Sequence, residues 1–319
     1  MARLRTQLAL VGSAAALTAG AAVPVQPARS AEAAERRWVA MGDSYAAGVI
    51  PAAGSVFEVP RDGCERTDQS YPQVVARHVG GLVRLTDVSC GAATIANVTD
   101  EAQAPIGHQL PPYSEDPGYP FPPVPPQSAA AGPGTDVITV GVGGNTLGLA
   151  GIITRCAALG HTSGGEGTPC EDALSDGVAA RLEKVRREYG RMLAVLHERS
   201  PRAAILAVGS PTIIPGDTAK CRYGDLTQFG AIAPGDLDWL RRDVLEPLNE
   251  VIEASAGAQE AARFVNLYDS SKDHSVCDTV KWVEGFVSEP GRLAFVHPNA
   301  RGHRAAAALV EAAMLNALG

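Results

Sequence analysis

Ser44 is the residue whose position most suggests covalent chemistry. It follows the apolar run 38–41 through Gly42 and Asp43, and Gly48 stands four residues later. A serine at a turn between a strand and a helix lies at the carboxyl edge of a parallel sheet, beside helix amides that can stabilise an oxyanion. Ser44 could therefore act as a nucleophile, although Asp43 and Ser44 could equally do no more than cap a helix.

A nucleophilic serine needs a base, and His297 is the best placed of the seven histidines. It follows the apolar run 293–296 and precedes Pro298 and Asn299, a rigid turn that begins the last predicted helix. An imidazole fixed in this way can point at a distant serine. His78 and His197 fall in helical patterns, and His108 and His161 fall in polar loops. His303 is expected on the surface of the final helix, and His274 is left unassigned.

The segment from Gly141 to Asn145 supplies a third element, because its glycines allow close backbone approach and its carboxamide can donate to an oxyanion. Taken alone, this segment is equally well a turn or an incomplete dinucleotide-binding loop. A dinucleotide loop would need glycine where Thr146 or Leu147 stands, so that interpretation is not favoured.

Five short apolar runs alternate with longer helical patterns, which predicts an α/β fold with helices on both faces of a mostly parallel sheet. The predicted strands cover 38–41, 82–88, 136–142, 203–208 and 263–267. The predicted helices cover 71–79, 172–199, 234–256 and 299–318. No internal repeat or linker is evident, so residues 34–319 are interpreted as one domain.

The composition limits the possible partners. The chain has 319 residues, 45% of them hydrophobic, which is long enough to bury a substantial core. Its net charge is -8, with 27 Lys and Arg against 35 Asp and Glu, and this argues against a nucleic-acid or anionic-membrane partner.

Residues 1–33 are interpreted as a cleaved export signal. Arg3 and Arg5 precede an uncharged run at 8–25, and small residues at 28–33 offer cleavage sites, so the mature chain should begin near 31–35. A retained membrane anchor is the alternative, but glycines and a proline make the run weakly apolar for a spanning helix. We therefore expect a secreted protein with no membrane span after cleavage.

Six cysteines follow the signal, an even number in a chain expected to meet an oxidising compartment. A structural zinc site is the weaker alternative, because no pair has CxxC spacing and no histidines cluster beside them. Sequential pairing would close three local loops without crossing, and it is the favoured framework: Cys64 with Cys90, Cys156 with Cys170 and Cys221 with Cys277.

The stretch 105–133 is rich in proline and cannot be regular helix or central strand. Because it lies between two predicted strands of one sheet, a long loop over a functional edge is a better interpretation than a domain boundary. Its aromatic residues Tyr113, Tyr119 and Phe121 could line a substrate cleft.

Four segments, taken in chain order, resemble the conserved blocks of the SGNH hydrolases, also called GDSL esterases and lipases. They are VAMGDSYAAG around Ser44, DVSCGAAT at 87–94, VGVGGNTLG around Asn145 and FVHPNARGH around His297. The resemblance spans about 37–319, and GxSxG, the nucleophile motif of the α/β-hydrolases, is absent.

This resemblance implies a three-layer α/β/α sandwich of flavodoxin-like architecture and a serine carboxylic-ester hydrolase. Ser44 matches the nucleophile and His297 the base. The oxyanion donors would be the Ser44 amide, the amide of Gly91 or Ala92, and the Asn145 side chain. No metal or cofactor is implied. Lipids, short-chain acyl esters and acetylated sugars are the implied substrates, and the six cysteines resemble the secreted bacterial lipase and esterase branch, which supports the sequential disulfides.

Three positions depart from the family pattern. Ala92 stands where glycine is usual, Thr146 replaces the aspartate of GGND, and Ala294 replaces the aspartate three residues before the histidine. We therefore predict a Ser44–His297 dyad in which the main-chain oxygen of Ala294, or of Leu293 or Phe295, accepts from His297 Nδ1. The competing idea is a carboxylate from elsewhere, and the nearest in sequence are Asp273, Asp278 and Glu289.

Two alternatives to a hydrolase stay open. The same site could serve an acyltransferase or a natural-product tailoring enzyme, or the three departures could mark a catalytically silent secreted binding protein. Retention of Ser44, Asn145 and His297 together argues against a silent protein. We expect a monomer that acts on a small-molecule or lipid ester.

Overall fold

A computed structural model describes residues 35–107, 116, 118–288 and 292–319. The expected export signal at 1–33 lies outside the described residues. The described residues from Glu35 onward belong to one compact unit. Among them, no helix is long and apolar enough to cross a membrane.

Five parallel strands form the central sheet in the order β2-β1-β3-β4-β5. They are β1 (Arg36–Gly42), β2 (Val83–Asp87), β3 (Val137–Gly141), β4 (Ala204–Val208) and β5 (Ala262–Val265). Each overlaps one of the five apolar runs, so the predicted parallel sheet is confirmed. Val39 pairs with Thr86 on one side and Ile138 on the other, which places β1 inside the sheet and explains its unbroken apolar run.

Helices cover both faces of this sheet. They are α1 (Ser44–Ala47), α2 (Tyr71–Val79), α3 (Ile95–Thr99), α4 (Gly144–Leu147), α5 (Leu149–Thr162), α6 (Pro169–Arg199), α7 (Pro234–Trp239), α8 (Glu246–Gly257) and α9 (Ala300–Leu318). Met41 of β1 belongs to the same buried cluster as Met192 of α6. Trp38, three residues earlier, belongs to the cluster on the opposite face, with Val310 of α9. The three-layer sandwich is therefore confirmed.

The helix predicted over 234–256 contains a π-helical turn, Leu240–Leu245, between α7 and α8. Pro247 in the first turn of α8 explains this irregularity. Proline has no N–H to donate, and its ring clashes with the carbonyl four residues earlier in a regular helix. The wider turn relieves that clash while the chain remains helical.

Helix α5 was not predicted, and His161, expected in a polar loop, lies in its last turn. The sequence of α5 contains Gly151, Gly160 and three consecutive β-branched residues, which all lower helix propensity. Tertiary packing outweighs this local preference. The disulfide from Cys156 to Cys170 joins α5 to α6.

Three disulfides link the six cysteines in the expected sequential order. They join Cys64 to Cys90, Cys156 to Cys170 and Cys221 to Cys277, so that no thiol is free. Within the described ranges, no group of three or more histidine, cysteine and acidic residues is arranged to hold a metal ion.

The carboxyl-terminal part of the proline-rich stretch packs against the rest of the domain. Val124 forms an antiparallel bridge with Gln103, and a 3₁₀ turn follows at Gln127–Ala130. Phe121 is buried against Gly63, with the Arg61 guanidinium 5.4 Å from the ring centroid. The prediction that Phe121 lines a cleft is therefore wrong. Tyr119 is exposed outside the cavity beside Ser44, and Tyr113 lies outside the described residues.

Candidate active site

Ser44 begins α1, immediately beyond the carboxyl end of β1. Gly42 has a φ of 145°, and a Cβ at this position would overlap the carbonyl oxygen of Gly141, so the close approach of β1 and β3 requires glycine. The Asp43 N–H donates to that same oxygen at 2.9 Å. The Asp43 carboxylate accepts from the Tyr45 N–H at 2.9 Å and caps α1. Asp43 is thus the residue that caps α1, and the Ser44 hydroxyl is available for another contact.

The turn that carries Ser44 is also held by a side chain from the proline-rich stretch. Gln127 Oε1 accepts from the Gly42 N–H at 2.7 Å, and Gln127 Nε2 donates to the Gly42 carbonyl at 2.9 Å. Gln127 is buried, so water does not compete with these bonds. No local sequence pattern relates Gln127 to Gly42, so this contact could not be predicted.

His297 and Ser44, 253 residues apart in sequence, meet at 2.7 Å between Nε2 and Oγ. Nδ1 of the same ring lies 2.9 Å from the Ala294 carbonyl oxygen and 2.8 Å from that of Phe295. Because a carbonyl can only accept, Nδ1 must carry the proton in the neutral ring. Nε2 is then the acceptor for the Ser44 hydroxyl, which is the orientation that a general base requires.

A left-handed turn directly before His297 produces this double contact. Phe295 and Val296 have φ values of 44° and 57°, which are unfavourable for a bulky and a β-branched side chain and cost about 1–3 kcal/mol each. The turn folds the carbonyls of Ala294 and Phe295 back onto the imidazole. Two main-chain dipoles therefore occupy the place where a carboxylate would otherwise bind Nδ1.

None of the described acidic residues named as competitors contacts His297. Asp278 accepts from Lys220 Nζ at 2.9 Å and from the Ser275 N–H at 2.8 Å, and Asp273 is exposed. Glu289 lies outside the described residues. The Nδ1 contacts are the main-chain contacts predicted from the replacement of aspartate by Ala294.

Tyr45 is a contact residue that sequence analysis missed. Its hydroxyl donates to the Val296 carbonyl at 2.5 Å, and its ring centroid lies 5.1 Å from that of His297. Burial, assisted by the nearby Asp43, raises the pKa of Tyr45 above its ordinary value, so the phenol keeps its proton. The residue after Ser44 thus ties α1 to the strained turn that bears His297.

Burial also shifts the titration of the charged groups at this site. It lowers the pKa of His297 below the ordinary 6.5, and the Phe295 and Ala294 carbonyls oppose that change. It raises the pKa of the Asp43 carboxyl to about 7, while the N–H groups around it act in the opposite direction. His297 is therefore neutral, and able to act as a base, at neutral pH.

The oxyanion donors expected from the resemblance lie on three separate turns. The Ser44 N–H, first in α1, finds no acceptor within the described part of the chain. Asn145 lies in α4, and its Nδ2 donates to the Ala93 carbonyl at 3.0 Å, which leaves its second N–H for another acceptor.

The structure distinguishes the two candidates for the second amide. The Gly91 N–H already donates to the Cys64 carbonyl at 3.0 Å, and the Gly91 carbonyl accepts from Gln103 Nε2 at 2.6 Å. The Ala92 N–H has no such bond to the described residues. Ala92 adopts a left-handed conformation with φ 64°, the conformation that glycine takes more easily. Ala92 is thus the residue with an available amide.

Ser44, Asn145 and His297 line one cavity, whereas Gly91 and Ala92 do not belong to its walls. Val142, Leu149 and Ile153 form an apolar wall beside Asn145, and Phe295 contributes another apolar surface. Ser210 and Trp282 also line this space. The cavity therefore offers an apolar environment next to a serine and a hydrogen-bond donor.

His303 does not lie on the surface as expected but is 1% exposed behind the dyad. Its Nδ1 accepts from the Tyr71 N–H at 3.2 Å, because α9 packs against α2. Its Nε2 faces Gly48, where an added Cβ would lie 3.2 Å away, and forms no hydrogen bond to the described residues. Burial, with a smaller effect from His297, lowers the pKa of His303 to about 3. The expected surface placement is wrong because one face of α9 is buried.

The fold and the site together define a class of protein: a three-layer α/β domain with a serine and histidine pair at the carboxyl edge of its parallel sheet. The chain belongs to the GDSL-like lipase/acylhydrolase family, whose sequence model matches residues 40–305. The resemblance seen in the four sequence blocks is therefore confirmed.

Relatives of known name support the same assignment. The chain is 33% identical over 276 residues to a protein named lipase 2 from Streptomyces coelicolor, covering 84% of this chain and 82% of that protein. It is 27% identical over 327 residues to an esterase from Streptomyces scabiei, covering 92% of this chain and 87% of the relative. The chain is accordingly a carboxylic-ester hydrolase.

Two solved structures share the fold at low sequence identity. A phospholipase A1 from Streptomyces albidoflavus superposes with a TM-score of 0.64 at 18% identity, covering 88% of this chain and 99% of that one. An extracellular lipase from Streptomyces rimosus gives a TM-score of 0.58 at 19% identity, covering 87% and 99%. These likenesses support the three-layer architecture.

Proposed function

We propose that this chain is a secreted serine hydrolase that cleaves acyl esters through a covalent acyl intermediate on Ser44. The observation that carries the proposal is the 2.7 Å contact between Ser44 Oγ and His297 Nε2, the ring nitrogen left without a proton by the two Nδ1 contacts. A hydroxyl bonded to a neutral imidazole is an activated nucleophile.

In the first half of the reaction, His297 Nε2 takes the Ser44 proton while Oγ forms a bond to the ester carbonyl carbon. The tetrahedral oxyanion then collapses, the bond to the alcohol oxygen breaks, and His297 returns the proton to that oxygen. In the second half, His297 Nε2 takes a proton from a water molecule while the water oxygen forms a bond to the acyl carbon. The bond between that carbon and Ser44 Oγ then breaks, His297 returns the proton to Oγ, and the carboxylic acid is released.

The protonated ring formed during each half needs an electrostatic partner. In this dyad the Ala294 and Phe295 carbonyl dipoles, at 2.9 and 2.8 Å from Nδ1, stabilise the imidazolium and keep Nε2 directed at Ser44. The oxyanion is held by the Ser44 amide, the Ala92 amide and Asn145 Nδ2. No residue of this arrangement requires a metal or a cofactor for the proton transfers.

The cavity supports an apolar acyl group as the part of the substrate next to Ser44. Val142, Leu149 and Ile153 would surround that chain, and its burial favours binding in proportion to apolar area. Relatives named lipase and esterase fit a small-molecule or lipid ester. We infer that the protein acts as a monomer on such esters, with no nucleic-acid partner, as the net charge of -8 suggests.

Secretion is supported by residues 1–33, which have the pattern of an export signal, and by the three disulfides. Residues 34–319 would then form the single mature domain. Sequencing the amino terminus of the protein recovered from culture medium tests both points: it should begin near 31–35, and finding the uncleaved chain in the membrane fraction would contradict secretion.

Replacement of Ser44 by Ala tests the covalent mechanism. We expect Ser44→Ala to abolish hydrolysis of nitrophenyl esters and labelling by a fluorophosphonate, because the variant lacks the atom that forms the acyl bond. Ser175→Ala, an exposed serine on α6, is the matched control and should retain both activities. Turnover or labelling that survives in Ser44→Ala would refute the nucleophile assignment.

A further inference from the structure

Two consecutive residues of α4 hold the turn that carries Ala92. Asn145 Nδ2 donates to the Ala93 carbonyl at 3.0 Å, and the Thr146 hydroxyl accepts from the Ile95 N–H at 2.9 Å. Both bonds cross about 50 residues of sequence and join the same two segments. Asn145 is a proposed oxyanion donor, whereas Thr146 has no assigned role.

The Ile95 N–H needs an acceptor from outside its own helix. Ile95 is the first residue of α3, and the first N–H groups of a helix have no partner within it. The hydroxyl oxygen of Thr94, the cap residue, accepts from the Asn97 N–H instead. Ile95 is 1% exposed, so water does not readily reach this amide. Thr146 therefore completes the cap of α3 from a different part of the fold.

The turn before α3 has little freedom to move independently of these bonds. Gly91 is fixed through its N–H to Cys64 and through its carbonyl to Gln103, and Ala93 is fixed to Asn145. Ala92 lies between these two anchors in a left-handed conformation. A shift of α3 at Ile95 would therefore move Ala93 and change the separation of the Ala92 amide from the Asn145 carboxamide.

From this arrangement we infer that Thr146 is a positioning residue, whose hydroxyl sets the spacing of the two oxyanion donors contributed by Ala92 and Asn145. The inference rests on the proposed function, because it assigns these donors to the same oxyanion. Thr146 touches neither Ser44 nor His297 in the hydrogen-bond network, so it acts only through Ile95 and the turn. The neutral hydroxyl of Thr146 accepts the hydrogen bond from the Ile95 N–H, which a carboxylate at this position could also accept.

Thr146→Val tests this role because valine has nearly the shape of threonine but offers no acceptor. Oxyanion donors act on charge that develops in the transition state, so a misplaced pair should lower kcat by roughly 10-fold to 100-fold and change KM by less than about 3-fold. Thr146→Ser keeps the acceptor and should restore kcat to within about 3-fold of the wild type. Asn145→Ala, which removes a donor outright, sets the upper limit at about 100-fold to 1000-fold.

Thr99→Val is the matched control within the same helix. The Thr99 hydroxyl donates to the Ile95 carbonyl at 2.7 Å, so this variant loses a buried hydroxyl of α3 but leaves the Ile95 N–H paired. We expect its kcat to stay within about 3-fold of the wild type. A decrease equal to that of Thr146→Val would show that any disturbance of α3 suffices, and it would overturn the inference.

Amide hydrogen exchange at Ile95 gives a measurement independent of activity. Exchange should be at least about 10-fold faster in Thr146→Val than in Thr146→Ser or Thr99→Val, because only the valine variant frees this amide. If Thr146→Val does not fold, Thr146→Ala provides the same loss of acceptor with less steric demand. Unchanged exchange and unchanged kcat in a folded variant would overturn the inference, whereas a wild type that cleaves no ester and resists the fluorophosphonate would refute the proposed function.

Discussion

His297 and His303 lie six residues apart on either side of the start of α9, and their imidazoles are bonded in opposite ways. In His297, Nδ1 donates to two carbonyls and Nε2 faces the Ser44 hydroxyl. In His303, Nδ1 accepts from the Tyr71 N–H, and Nε2 lies in a buried space beside Gly48. The neutral ring of His297 is thus protonated on Nδ1, and that of His303 on Nε2.

The main-chain partner of Nδ1 thus determines which ring nitrogen of each buried histidine carries the proton. A carbonyl at this position keeps the proton on Nδ1 and leaves Nε2 free to act as a base, whereas an N–H has the opposite effect. Both rings have lowered pKa values, since burial disfavours the charged form of each. A lowered pKa alone therefore does not distinguish the proposed base from the other histidine, whereas the bonding of Nδ1 does.

The largest effect should separate the two histidines by activity. His297→Ala removes the base, and we expect kcat to fall by at least about 10,000-fold, because a serine hydroxyl is a poor nucleophile without one. His303→Asn should keep kcat within about 10-fold of the wild type, since the asparagine oxygen can still accept from the Tyr71 N–H. Steady-state hydrolysis of a nitrophenyl ester measures both. A loss in His303→Asn as large as in His297→Ala would show that turnover depends equally on both histidines.

A smaller effect concerns the pH dependence of stability. Because the pKa of His303 is about 3 in the folded chain and about 6.5 when unfolded, the unfolded state binds one more proton between these values. The free energy of unfolding should therefore decrease as pH falls through this window. Relative to His303→Asn, the wild type should lose about 2 kcal/mol between pH 7 and pH 5.

Urea unfolding of the wild type and His303→Asn at pH 7 and pH 5 measures this difference in the free energy of unfolding. The contributions of the other titrating groups cancel, because both proteins contain them. Asp43 is one of these groups, and its effect has the opposite sign: its pKa is raised to about 7, so its protonation stabilises the fold as pH falls. Parallel pH profiles for the wild type and His303→Asn would contradict the assignment of His303 as a buried neutral ring.

The smallest effect is expected from the acidic residues that precede His297. Asp273→Asn and Asp278→Asn should leave kcat within a few-fold of the wild type, because the described Nδ1 acceptors are both carbonyls. Glu289→Gln belongs in the same series. Replacement of an essential triad acid costs about 10,000-fold, so the measurement discriminates clearly. A loss of that size in any of the three would replace the dyad with a triad.

The parts of the molecule that could be predicted from sequence are those that depend on local pattern. The five strands follow from short apolar runs, and Ser44, Asn145 and His297 follow from their places at the ends of such runs. The strands and these three residues follow from patterns in the immediately neighbouring sequence. The disulfide pairing was predicted on other grounds: the sequential order of the cysteines, which closes three loops without crossing, and the family resemblance.

The contacts that make the site specific could not be predicted, because each joins segments distant in sequence. Tyr45 contacts the Val296 carbonyl across 251 residues, and the Tyr71 N–H contacts His303 across 232. The positive φ of Val296 contradicts local preference and is maintained only by its surroundings. His303 was misplaced for the same reason, since α2 buries it.

The carboxamide of Gln127 exchanges two hydrogen bonds with Gly42, accepting from its N–H and donating to its carbonyl. Residues opposite each other in antiparallel strands make the same exchange through their peptide groups. The Gln127 side chain therefore makes the pair of hydrogen bonds that one residue of a neighbouring strand would make, at the point where β1 meets the turn that carries Ser44. The segment before it, Pro122, Pro123, Pro125 and Pro126 around Val124, has few N–H groups to offer. A side-chain amide thus allows a segment with few backbone N–H groups to support the end of β1 that leads to Ser44.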